Sequence, residues 1–119
     1  MVNIHTDFSS RSNRLKSADL IAERIKPLIE AGETLFVIGD MNARSGARKL
    51  AIMEDVGVTF TPVKGATFHF NRGLNLFGAI DHIGYAGHAQ TLGAPVVLRQ
   101  KFDREWPTDH YPVVFDFAP

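Results

Sequence analysis

Five residues in three short stretches have the types and spacing for metal-assisted proton and oxyanion chemistry. Asp109 and His110 stand together in Thr108-Asp109-His110-Tyr111-Pro112-Val113, at the entrance to what reads as a terminal strand. Upstream, Gly39-Asp40-Met41-Asn42 follows an apolar run, and Asp81 lies within Ala79-Ile80-Asp81-His82-Ile83. Carboxylate and amide oxygens are the donors that hard cations such as Mg²⁺ and Mn²⁺ take. Histidine can shift a proton near neutral pH or contact an anionic oxygen. Asp40 and Asn42 are two apart just past a strand, so both side chains can project to one side of its opening. Each stretch alone also has a plainer reading. Gly39-Asp40 makes a turn and Asn42 caps the next helix, Asp81 is a lone strand carboxylate, and His110 is a satisfied core histidine.

The elements that must position these groups follow from periodicity. Val2, Ile4 and Phe8 alternate with Asn3, His5 and Asp7, which describes a half-buried strand with His5 on its polar face. Leu15, Ala18, Ala22, Ile25 and Ile29 recur at helical spacing over residues 12–31, with Pro27 expected to bend the last turn and Gly32 following the C-cap. Residues 34–38 form a continuous apolar strand of the kind covered on both faces, and a shorter helix is expected over residues 47–56. Further strands are expected at 58–60, 67–70, 79–85, 96–98 and 113–117, with loops at 71–78 and 101–107, the latter carrying the only tryptophan, Trp106. Strand–helix–strand–helix followed by a run of strands gives an α/β (α+β) class: one mixed sheet with helices on one face.

In this order, the three motifs resemble the C-terminal half of the endonuclease/exonuclease/phosphatase family, whose members hydrolyse phosphate esters with a divalent metal. Thr108 to Val113 is similar to that family's Ser-Asp-His-x-Pro-Val. The resemblance implies that Asp40 positions or deprotonates the attacking water, and that Asn42 orients the phosphate near the metal. It implies that Asp109 binds the metal (Mg²⁺ or Mn²⁺) together with Asp40 and Asn42, that His110 contacts the scissile phosphate, and that Asp81 holds His110 through its other ring nitrogen. His5, in Asn3-Ile4-His5-Thr6-Asp7, resembles the histidine of the family's Asn-Thr-His-Leu segment, with Asp7 a polar residue two places on. Thr67-Phe68-His69-Phe70 resembles a segment of bacterial members that lines the substrate groove, making His69, Asn71 and Arg72 substrate-binding candidates; an edge-strand histidine between core phenylalanines is the plainer reading of His69. His82 and His88 are expected at the surface or behind the site.

The resemblance spans nearly all of the chain but about half of a family domain. The family's other half supplies an Asn and a Glu, the latter its principal metal carboxylate, and both would precede Met1. The implied architecture is therefore half of a four-layer α/β/β/α sandwich, completed by dimerisation through the sheet face that the helices leave bare. At 119 residues, the chain is expected to make one domain over 1–119. Thirteen basic residues cancel thirteen acidic ones, so no net cationic field gathers nucleic acid from a distance. Nucleic acid is the expected substrate through the resemblance, with a small phosphoester as the alternative, and a catalytically weak half-domain acting as a binding or assembly module, or one part of a split enzyme, as the others. Two local clusters, Arg11, Arg14 and Lys16, and Arg99, Lys101 and Arg104, read as solvated faces. The absence of cysteine excludes disulfides, thiolate catalysis and zinc-thiolate sites. With no apolar run of membrane-spanning length and no signal-like stretch in residues 1–10, a cytoplasmic protein is the simplest expectation.

Overall fold

In the computed structural model, which describes residues 1–6 and 10–118, three strand ends meet where the sequence motifs lie. Strand β1 (Val2–His5) runs parallel to β2 (Leu35–Asp40), and β4 (Asp81–Ala86) runs antiparallel to β2 on its other side. Register pairs His5 with Asp40, and Asp40 with Asp81. Three chemistry-bearing residues thus form a row across one end of the sheet. The short β3 (Thr59–Phe60) pairs with β4 and closes the order β1-β2-β4-β3. Asp7 lies outside the described residues.

Parallel pairing of β1 and β2 requires a crossover, and helix α1 (Arg11–Glu30) supplies it. Ser10 caps it by accepting a hydrogen bond from the Asn13 N–H at 3.2 Å. Its helical stripe buries Ala18, Ala22 and Ile25, and the helix runs through Pro27 to Glu30. Helix α2 (Arg48–Glu54) adds Leu50 and Met53. Both helices cover one face, where Ile4, Ile25, Leu35, Val37, Leu50, Met53 and Val58 share a core. No helix among the described residues is long and apolar enough to cross a membrane.

The expected single sheet is in fact two. Strands β5 (Gln90–Val97) and β6 (Val113–Ala118) pair only with each other, as an antiparallel ribbon with a register shift between Leu92 and Val96. β6 lays Phe117 against Phe36 and Tyr85, at ring centroids 4.7 and 5.3 Å, on the face opposite the helices. That face is therefore partly covered by the chain's own ribbon. The ribbon leaves Leu92, Val96 and Val114 about half exposed. Residues 67–70, expected as a strand, make only a bridge between Phe68 and His110. Phe68 and Phe70 pack on each other, with Phe68 against His110 and Phe70 against Phe77, instead of extending a ladder. The strand expected at 96–98 starts earlier, at Gln90.

Candidate active site

Gly39 is what brings β1 close to β2 beside the site. Its φ is +131°, and a Cβ there would fall inside van der Waals contact of the Ile4 carbonyl oxygen. Asp40 follows at the strand end. Its Oδ1 accepts the backbone N–H of Asn42 at 2.8 Å, an Asx-type turn that holds Asn42 at φ 45°. The Asn42 amide then donates from Nδ2 to the Thr6 carbonyl at 2.6 Å. Asn42 caps no helix, since the residue at the start of α2 is Ala47.

Asp40 Oδ2 faces His5 Nε2 at 3.6 Å and His110 Nε2 at 3.7 Å. His110 Nδ1 donates to Asp81 Oδ2 at 2.7 Å, and its Nε2 stands 4.0 Å from Asp109 Oδ1. Burial is the largest influence on the His110 pKa and lowers it. The hydrogen bond and charge of Asp81, followed by the charges of Asp40 and Asp109, outweigh burial and leave the pKa above its ordinary value. The backbone holds Asp109 and His110 in place on both sides: the His69 N–H donates to the Asp109 carbonyl at 2.8 Å, and the Tyr111 N–H to the Thr67 carbonyl at 2.6 Å. A cleft of about 570 Å³ opens over this cluster, lined by His5, Asp40, Asn42, Asp109, His110 and the apolar Phe68, Phe70 and Ile80.

Asn71 and Arg72 line an adjoining cleft that also contains Asp109, with Phe68, Phe70 and Phe77. His69 does not reach either cleft. It is 1% exposed, stacked on Tyr111 at 4.3 Å and against Trp106 at 4.8 Å, and its Nδ1 accepts the Gly73 N–H at 3.3 Å. It is a packing pillar under the site. His82, expected at the surface or behind the site, is buried and donates from Nε2 to the Ala43 carbonyl at 2.6 Å. Burial lowers its pKa against that hydrogen bond. Arg99, expected on a solvated face, donates to the carbonyls of Lys64 and Ala66 and lies over the Tyr111 ring.

One residue beside the site escaped sequence reasoning. Lys49 is 3% exposed and donates from Nζ to the Met41 carbonyl at 2.5 Å and to Thr6 Oγ1, tying the segment after β1 to the Asp40–Asn42 turn. Its spacing with Met53 and Val56 puts it on the inward stripe of α2, the signal that could have found it. Burial, with the charge of Arg14 adding to it, pushes Lys49 down to about 8 against the pull of Asp40.

The donor set suits a hard cation. Asp40, Asp81 and His110 offer ligand atoms within 4.8 Å of one another, and Asp109 and Asn42 line the same cleft. Oxygen donors dominate, as Mg²⁺ and Mn²⁺ require, while the His110 Nδ1 is committed to Asp81.

No protein-family model and no curated protein matches the chain. Solved structures do. A mannosyl-6-phosphatase of Bacteroides thetaiotaomicron superposes with a TM-score of 0.82 at 21% identity, over 98% of this chain and 49% of that one. An endonuclease/exonuclease/phosphatase family protein of the same organism gives 0.79 at 22%, over 97% and 48%. The chain has the fold of half an endonuclease/exonuclease/phosphatase protein. Truncated TDP2 of Caenorhabditis elegans shares that fold at a TM-score of 0.68 and 19% identity, over 93% of this chain and 50% of that one. The chain thus spans about half the length of each of these three solved structures.

Proposed function

We propose that this chain carries the reaction centre of a divalent-metal-dependent phosphoesterase that hydrolyses nucleic-acid phosphodiester bonds. The observation that carries this reading is His110, held by Asp81 at 2.7 Å with its Nε2 turned towards Asp40 and Asp109 above an open cleft. Asp40, Asn42 and Asp109 would hold Mg²⁺ or Mn²⁺, which supplies a Lewis acid for the phosphoryl oxygens and lowers the pKa of a bound water. Asp40, fixed through Oδ1, directs Oδ2 into the cleft as the group that orients water for in-line attack. His110, whose protonated form Asp81 favours, donates from Nε2 to a phosphoryl oxygen and offsets charge developing in the transition state. His5 approaches Asp40 from β1 as a second contact for the phosphate.

Nucleic acid is favoured over a small aliphatic phosphoester by the aromatic wall beside His110. The Phe68 ring lies 5.1 Å from the His110 ring, Phe70 lies 4.3 Å from Phe68, and half-exposed Phe77 continues the row. Such rings offer stacking surface to bases, worth on the order of 1–3 kcal/mol each, with Arg72 at hand for the backbone. The mannosyl-6-phosphatase among the structures of like fold makes a sugar phosphate the second reading. Incubating the pure chain with supercoiled plasmid and Mg²⁺ or Mn²⁺, with and without EDTA, separates the cases. Metal-dependent nicking supports a nuclease, and release of phosphate from a hexose phosphate alone supports the second reading. Silence on both, unrelieved by a complementary half-domain, refutes hydrolysis.

The same reading includes assembly: a second copy packs on the sheet face that β6 covers only in part, giving a homodimer with the layers of the whole fold.

A further inference from the structure

Across Asn42 from the reaction centre lies another cleft, of about 290 Å³, with a cationic lining. Arg11 and Arg14 reach it from the first turn of α1, and Arg48 and Lys49 from the first turn of α2. No carboxylate is among the described residues that line it. On a chain whose formal charges cancel, these four side chains gather basic groups at one cleft, with Asp40 the acidic group whose charge also acts on Lys49. Lys49 sits at its floor with its ammonium hydrogen-bonded to neutral oxygens, those of Met41 and Thr6. A buried cation so placed has lost its water without gaining an opposite charge in contact. Burial and Arg14 both act against its proton, as the lowered pKa shows. Arg48 is tied only loosely, 4.0 Å from Asp55, with both side chains mostly exposed.

We propose that this cleft is a second oxyanion subsite, which takes a phosphate group of the substrate other than the one hydrolysed. Asn42 is the wall common to both clefts, so a substrate passing over it would present one phosphate to each. The guanidinium groups of Arg11 and Arg48 suit the flat, forked contact that phosphate oxygens favour, and Lys49 adds a fixed charge beneath. The substrate class is then a phosphate ester with at least two phosphates, either neighbouring linkages of one strand or a small bisphosphate. This rests on the phosphoesterase reading, but it can be tested without hydrolysis.

The test is calorimetric titration of the full chain with inorganic phosphate in EDTA. Without metal, the carboxylates of Asp40, Asp81 and Asp109 repel an anion, so binding reports the cationic cleft. The expected result is saturable binding, weakened by about tenfold or more in Arg11→Gln/Arg48→Gln, whose changed side chains are exposed, and retained in Asp109→Ala. A short oligothymidylate and a hexose bisphosphate then compete with phosphate. Tighter binding of the former assigns the subsite to strand phosphates, and of the latter to a small bisphosphate. The proposal is overturned if wild type does not bind phosphate, if the double variant binds it equally well, or if neither competitor binds more tightly than phosphate itself.

Discussion

Asp81 raises the His110 pKa most, through a hydrogen bond and its charge, and Asp40 and Asp109 add to it from the Nε2 side; variants separate these contributions. Asp109→Ala and Asp40→Ala are expected to abolish metal-dependent hydrolysis while circular dichroism stays native, because both carboxylates stand at element ends outside the core. Wild-type turnover by either would remove the assignment. His110→Ala is expected to cost on the order of 10²-fold in kcat or more, and Asp81→Asn less, since it acts only through His110. A larger loss for Asp81→Asn would give that residue a direct part. The raised His110 pKa fixes the sign of the pH dependence. Protonation favours the folded chain, so the stabilisation is complete below the ordinary value of 6.5 and is lost as pH rises through the raised folded value. Activity carried by the imidazolium falls over the same rise. In metal-free buffer, an NMR titration of His110 is expected to show its midpoint above 6.5 in wild type and moved to lower pH in Asp81→Asn. An unmoved midpoint would mean that Asp81 does not hold the charge.

At the scale of elements, the site depends on the register of three strand ends, and the register depends on Gly39. Gly39→Ala puts a Cβ against the Ile4 carbonyl, at a φ that L side chains rarely adopt. A loss of about 3 kcal/mol or more is expected, read as a lower denaturation midpoint; an unchanged midpoint would show that β1 and β2 can part without cost. Most of this arrangement was legible in the chain. Alternation around Ile4, the helical stripe of α1 and the apolar run into Gly39-Asp40 each state a local preference that the fold keeps. What was not legible depends on distant packing. Nothing local to Thr67-Phe68-His69-Phe70 distinguishes a strand from a segment wrapped around Tyr111, so His69 looked like a groove residue and is a buried pillar. The separation of β5 and β6 from the main sheet has no local signature either. Lys49 was passed over because a lysine between Arg48 and Leu50 reads as solvated until its place on the inward face of α2 is weighed.

For the whole molecule, the question is what covers the face opposite the helices. Phe117 reaches Phe36 and Tyr85, yet Leu92, Val96 and Val114 stay about half exposed on the ribbon. Exposed apolar area of this kind marks association surfaces, and closed two-fold pairing is the commonest way for a single chain to bury one. Light scattering at micromolar concentration is expected to give the mass of a dimer, and Val96→Asp with Val114→Asp to shift it towards the monomer. A soluble wild-type monomer would show that the ribbon alone suffices.

The two-sheet construction divides the candidate site between units that share no ladder. Asp40 and Asp81 end strands of the main sheet, whereas Asp109 and His110 lie just ahead of β6 and meet the rest through the Phe68 bridge and the Asp81 contact. Such units can open separately, each with its own free energy. Catalytic competence should therefore melt on its own, before the helical layer does. Amide exchange is expected to be faster in β5 and β6 than in β2 and β4, and activity to vanish below the temperature at which α1 unfolds. Equal protection in both sheets would mean one cooperative block. If they do part, whatever clamps the ribbon from outside acts as a switch on the candidate site, because it holds His110 against Asp81 without entering the cleft.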